Sequence, residues 1–219
     1  MSLVGYHRLV RTLVGGDARP PAGVGDPRVY ASLVRLQHRQ PLLQVFGEAL
    51  ARKEWAAPTS GLLEAYLAHC PPRDTHPGRW AAGFAAFVSG RGEVPLALRE
   101  QLDYLALRLS QSLAPDEPRC GHGTRGEPRL YTHDPRSAPL AAEEPKPPVV
   151  LLVFRDLRGA VTALVADGAT LGAWGLACGE CDVAELGERG ITGNMLRAAE
   201  QRLRRAGHPL FEDHDGVRR

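Results

Sequence analysis

Two cysteines separated by two residues, Cys178-Gly-Glu-Cys181, are the first residues in the chain whose types and spacing could do chemistry. That spacing lets both thiolates reach one metal ion or each other, so zinc sites and thiol redox sites both use it. A zinc site needs further ligands, and Cys120-Gly-His122 is the pair that could supply them. A C-x-H unit is unusual in that role, and no thioredoxin-type strand–helix–strand context surrounds Cys178 and Cys181. The plainer reading is small side chains on a helix loosened by glycines.

A second polar knot is His69-Cys-Pro-Pro-Arg73-Asp74-Thr-His76-Pro, followed closely by Trp80. Two histidines and an aspartate could bind a metal or move protons. Prolines this dense more often make a rigid connection between helices, and such a connection can serve as a docking surface. On that reading His69, Arg73, Asp74, His76 and Trp80 are the partner-docking candidates, and no metal is assigned. The chain contains no G-x-x-x-x-G-K-[ST], no G-x-G-x-x-G after a strand, no H-E-x-x-H and no G-x-S-x-G. The weight therefore moves from nucleotide-using or hydrolytic enzymes toward a binding or accessory protein.

These groups must be positioned by a chain of 219 residues, 43% hydrophobic and 24% charged. The length suits one large domain or two small ones. A mean hydropathy of −0.23 and the lack of any long apolar run argue against a spanning helix. The start, MSLVGYHRLVRTLVGG, is too polar for a signal peptide, so a cytoplasmic protein is expected, with its four cysteines reduced.

Eight of the eighteen prolines fall within residues 114–148, with Gly121, Gly123 and Gly126 and no apolar period. This stretch is expected to be a Pro/Gly-rich linker or surface strap between two domains, 1–113 and 149–219. Before it the period is helical. Tyr6, Leu9, Val10 and Leu13 recur at helical spacing, as do Leu42, Leu43, Phe46 and Leu50, then Leu62, Leu63, Tyr66 and Leu67. Trp80, Phe84, Phe87 and Val88, and Leu98, Leu102, Leu105 and Leu109, complete about six short helices. Pro27, Pro41, Pro77 and Pro95 are expected near helix starts, where a missing N–H costs least.

After the linker, Val149–Phe154 and Ala160–Val165 flank a turn closed by Gly159, which predicts a hairpin. Glycine-punctuated short helices follow. A longer helix over about 192–206 places Ile191, Met195, Ala199 and Leu203 on one face, with Gly207 as its stop. His208–Phe211 is expected to return as a short strand. The fold class is α+β: a helical bundle joined by the linker to a small winged-helix-like domain.

A winged-helix-like domain whose last helix carries Arg197, Arg202, Arg204 and Arg205 could present that helix to DNA. Charge counts against it. Residues 149–219 hold nine Lys or Arg against ten Asp or Glu, whereas residues 1–113 carry the positive excess, thirteen against nine. An extended peptide added to the hairpin edge suits the same surface better: main-chain hydrogen bonds supply affinity, and the arginines read acidic residues.

Leu36-Gln37, Ala68-His-Cys-Pro-Pro72, Trp80, Phe84, Phe87 and Leu102-Asp-Tyr-Leu105, with Val150–Asp156 and Gly168–Leu171 further on, resemble a family of bacterial accessory proteins named for a DNA-binding-type N-terminal domain. Its members partner multinuclear non-heme iron-dependent oxidative enzymes in ribosomal peptide modification, the methanobactin-type heterodimers among them. The resemblance implies a non-catalytic subunit. The helical domain would dock on the iron enzyme, and the second domain, like a recognition element for ribosomally made precursors, would hold the precursor peptide. The iron would belong to the partner, with no cofactor in this chain. In that reading the peptide lies along an edge formed by Leu151, Val153 and Phe154 or by Ala163 and Val165, with Met195, Arg197 and Arg204 lining the groove. Two alternatives stay open, a DNA-binding regulator and a small zinc protein on Cys120, His122, Cys178 and Cys181.

Overall fold

A computed structural model of the chain describes residues 27–52, 59, 61–69, 76–113, 126–137 and 147–211. The chain divides into two compact units, residues 1–109 and 110–219, of α+β composition overall. Among the described residues no helix is long and apolar enough to cross a membrane.

The first unit is helical: α1 (Pro27–Leu50), α2 (Leu62–His69), α3 (Pro77–Ser89) and α4 (Leu96–Ser112). The periodic apolar residues do what their spacing predicts. Leu42, Phe46, Leu63, Tyr66, Phe84, Val88, Leu98 and Leu102 are buried in one cluster. Phe84 takes the ring edge of Tyr66 at 5.4 Å and the tilted ring of Phe46 at 5.1 Å. The Tyr66 hydroxyl donates to the Trp80 carbonyl at 3.3 Å, which satisfies a buried polar group within the core. Pro77 opens α3 and Pro95 directly precedes α4, as expected. Pro41 does not open a helix but lies inside α1, so one long helix replaces the break expected there. The stripe from Tyr6 to Leu13 lies outside the described residues.

The second unit is a three-stranded antiparallel sheet, β1 (Glu127–Tyr131), β2 (Val149–Arg155) and β3 (Val161–Val165), in that spatial order. Three helices follow, α5 (Gly168–Cys178), α6 (Val183–Glu188) and α7 (Gly193–Arg205), with a short 3₁₀ turn at Pro209–Phe211. Two differences from expectation matter. Residues 114–148 are not all linker, because Glu127–Tyr131 pair with β2 in the register Glu127↔Val153 to Tyr131↔Val149. The expected return strand at His208–Phe211 is helical instead. Pro209 offers no N–H for a ladder, and the Phe211 N–H closes back onto the His208 carbonyl at 3.0 Å.

The hairpin turn is built by Asp156, whose Oδ1 accepts from the N–H groups of Arg158 and Ala160 at 2.9 and 2.8 Å, while Gly159 takes φ +82°. Leu152, Phe154, Ala169, Ala173, Trp174, Leu186, Leu196, Ala199 and Leu203 form the core between sheet and helices. The helix ends are specified locally. Asp167 caps α5, Asp182 and Glu185 form a capping box on α6, and Thr192 caps α7.

Candidate functional site

The sheet order decides which strand could receive a peptide. The Ala166 N–H bonds the Val150 carbonyl at 2.9 Å and the Asp156 N–H bonds the Ala160 carbonyl at 2.8 Å. With the register Phe154↔Thr162 and Leu152↔Leu164, the even-numbered residues of β2 therefore turn their peptide groups to β3, and the odd-numbered ones turn to β1. β2 is spent on both sides. Its side chains are spent as well: Leu151, Leu152, Val153 and Phe154 are all fully buried. Leu151, Val153 and Phe154 are thus core and not peptide-binding residues, which corrects the edge expected there.

Two outer edges remain. On β1 the outward positions are Pro128 and Leu130, and Pro128 has no N–H to offer. On β3 the outward positions are Val161, Ala163 and Val165, each with a donor and an acceptor. Ala163 is half-buried and Val165 half exposed. Among the described residues no fourth strand pairs with β3. The Ala163 carbonyl, though, accepts from Arg136 Nη1 at 3.2 Å.

Helix α7 stands next to the end of β3. Arg202 Nη2 reaches both oxygens of Asp167, at 3.0 and 2.8 Å, and the Leu157 N–H in the hairpin turn bonds the Gly207 carbonyl just past α7 at 3.1 Å. Burial, which would raise the Asp167 pKa, is outweighed by hydrogen bonds from Thr170 and Arg202, so its carboxyl sits below the usual range. The inward stripe of α7 is Leu196, Ala199 and Leu203: Ala199 and Leu203 lie on the expected face, but Leu196 takes the place expected of Met195, which is exposed. Arg197 bonds the Asn194 side chain, Arg204 Nε donates to the Phe211 carbonyl at 3.1 Å, and both arginines remain exposed. Of the expected site residues, Ala163, Val165, Met195, Arg197 and Arg204 keep a place on or near a surface.

The sequence does not mark Arg136 or Asp134, and it marks Arg202 only as a cation that could face DNA. Arg202 had a signal, a cation on a basic helix, but its partner lies 35 residues away. Arg136 fell within the supposed linker, where Asp134-Pro-Arg136 signalled only a turn.

Cys178 and Cys181 are thiols packed against the second core. Cys181 Sγ donates weakly to the Gly172 carbonyl at 3.7 Å, and a Cβ on Gly175 would come within 2.9 Å of that sulfur. Burial first, then the Glu185 carboxylate, push the Cys181 thiol up, away from the thiolate that a metal ligand or nucleophile needs. Among the described residues no three His, Cys, Asp or Glu side chains are grouped to hold a metal. Cys120 and His122 lie outside the described residues.

In the helical unit, His69 is exposed at the end of α2 with Nδ1 donating to the Ala65 carbonyl at 2.8 Å. His76 is the exposed residue before α3, its carbonyl accepting from the N–H groups of Arg79 and Trp80 at 3.0 and 3.2 Å. Trp80 is buried with its ring against His38 at 4.7 Å, so it serves the core and presents no docking face. Arg73 and Asp74 lie outside the described residues. Comparison of the chain with family models and with curated protein sequences gives no match.

Proposed function

We propose that the chain is a non-catalytic adaptor: its second unit binds an extended precursor peptide, and its helical unit docks on an iron-dependent oxidative enzyme that modifies that peptide. The iron is the partner's. The observation that carries the peptide half is the outer edge of β3, where Val161, Ala163 and Val165 direct complete pairs of backbone donors and acceptors away from the sheet, while Arg202 of the arginine-rich α7 reaches Asp167 just past the strand's end. In this reading the second unit is a winged-helix-like recognition element, its peptide lying along Ala163 and Val165 with acidic residues facing Arg197 and Arg204. His69 and His76 are the described docking candidates of the helical unit. The resemblance of the helical sequence to accessory subunits of such oxidases supports the enzyme half.

The test is co-expression with the iron enzyme and the short peptide encoded alongside the gene. The two proteins are expected to co-purify, and Arg197→Glu is expected to weaken peptide capture without changing the melting temperature. An enzyme that modifies its peptide equally well alone, and never co-purifies, sinks the idea.

Exposed arginines on α7 favour duplex DNA as a second ligand. Three of the four hydrogen-bond within the chain, Arg197 to the Asn194 side chain, Arg202 to Asp167 and Arg204 to the Phe211 carbonyl, which ties up guanidinium groups that phosphates would need. Affinity for random duplex at low salt that falls steeply as salt rises would favour that second reading.

A further inference from the structure

The β3 edge already has an occupant. Arg136 follows β1, at the far side of the sheet, yet its Nη1 donates to the Ala163 carbonyl at 3.2 Å, on the middle one of the three outward positions of β3. The guanidinium is held in place from behind. Asp134 Oδ1 takes Arg136 Nε at 2.8 Å and its backbone N–H at 3.0 Å, and Oδ2 takes Nη2 at 2.6 Å. The Ser137 N–H closes the turn on the Asp134 carbonyl at 3.1 Å, and Pro135 within it is buried. The Arg136 side-chain hydrogen bond also holds the Asp134 carboxyl below its ordinary pKa, so the pair stays charged through neutral pH.

We propose that the Asp134–Arg136 turn is a built-in competitor for the β3 edge, holding the Ala163 carbonyl until the backbone N–H of an extended peptide displaces it. This rests on the peptide-adaptor reading and adds its regulation. The competition is chemical: a strand paired antiparallel to β3 must donate to the same oxygen that Arg136 now occupies. An edge left bare would also pair with other copies of the chain, and a charged side chain across it prevents that. Release breaks the exposed, charge-assisted hydrogen bond to the Ala163 carbonyl, while Asp134 can keep the guanidinium after it swings away. The latch is weak enough for a peptide to open and strong enough to lower apparent affinity by the fraction of molecules that are closed.

The probe is a fluorescent synthetic peptide with the sequence of residues 160–166, Ala-Val-Thr-Ala-Leu-Val-Ala, flanked by two glutamates at each end. Its central alanine can exchange both backbone hydrogen bonds with Ala163. Anisotropy titration is expected to give about three- to tenfold tighter binding to Arg136→Ala than to the wild type, and a smaller gain for Asp134→Ala, which frees the guanidinium without removing it. The same peptide N-methylated at its central alanine should lose the gain. Melting curves of both variants confirm folding, which the exposure of Arg136 and the partial exposure of Asp134 favour. Equal or absent binding by wild type and Arg136→Ala overturns the proposal. Weaker binding to Arg136→Ala overturns it too, by making Arg136 a recognition contact, and so does a gain that survives N-methylation. Failure of co-purification with an iron enzyme would sink the adaptor reading alone, since this titration uses neither the enzyme nor its natural peptide.

Discussion

Asp167, two residues past β3, and Arg202, near the end of α7, face each other at 2.8 Å across 35 residues of sequence. The same carboxylate caps α5, accepting from the Thr170 N–H at 2.8 Å and its hydroxyl at 2.7 Å. The two duties differ in worth. A lost N-cap costs about 1 kcal/mol, whereas an exposed ion pair contributes roughly 0.2–1 kcal/mol. Asp167→Ala should therefore lower the urea midpoint distinctly more than Arg202→Ala does. Equal losses would mean that the cap contributes nothing and the ion pair carries the junction.

Phe154 and Val165 were both candidates for touching a peptide, and their surroundings separate them. Phe154 is fully buried, its ring 4.5 Å from that of the buried His208, whereas Val165 is half exposed at the sheet edge. Phe154→Ala should cost about 3–5 kcal/mol and leave the second unit largely unfolded at 37 °C. Val165→Ala should change stability by no more than about 0.5 kcal/mol. A stable Phe154→Ala protein would reopen β2 as a ligand surface.

Much of this architecture was legible in the residues. Runs of β-branched and aromatic residues around Asp156-Leu-Arg-Gly159 specify the hairpin, and the stripes from Leu42 to Leu109 specify the helical core. β1 was hidden because Glu-Pro-Arg-Leu-Tyr pays for its pairing with only one buried side chain, Tyr131, and edge strands tolerate charges and proline. Spacing by four residues puts Met195 on the face of Ala199 and Leu203, but Leu196 is the residue buried with them. Neither the Arg136–Ala163 contact nor the Arg202–Asp167 pair could be read in advance, since each joins residues distant in sequence whose meeting depends on strand order.

Gly126 shows how firmly β1 is anchored. It sits just before the strand at φ +82°, and a Cβ there would come within 2.9 Å of the Phe154 Cβ and 3.1 Å of the Val153 carbonyl. An L-residue is strained by the backbone and blocked by a neighbouring strand at once. Gly126→Ala should cost at least about 1 kcal/mol, read as a lower urea midpoint. No loss would mean that the chain entering β1 shifts freely, and that β1 pairs only loosely with β2.

His38 makes stability depend on pH. It is buried in α1 with its ring edge-on to Trp80, and burial lowers its pKa from the ordinary 6.5. The unfolded chain takes up a proton near pH 6.5, while the folded chain keeps the ring neutral to lower pH. Between those two values the unfolded state binds more protons, so stability rises with pH. The contribution is fully present above about pH 6.5 and is lost as the pH falls below it, levelling off once the folded ring also protonates. His38→Phe keeps an aromatic ring against Trp80 but cannot titrate. Urea midpoints measured from pH 7.5 to 5 should fall for the wild type more steeply than for His38→Phe. Parallel curves would show that the ring at position 38 takes up its proton as readily in the folded chain as in the unfolded one.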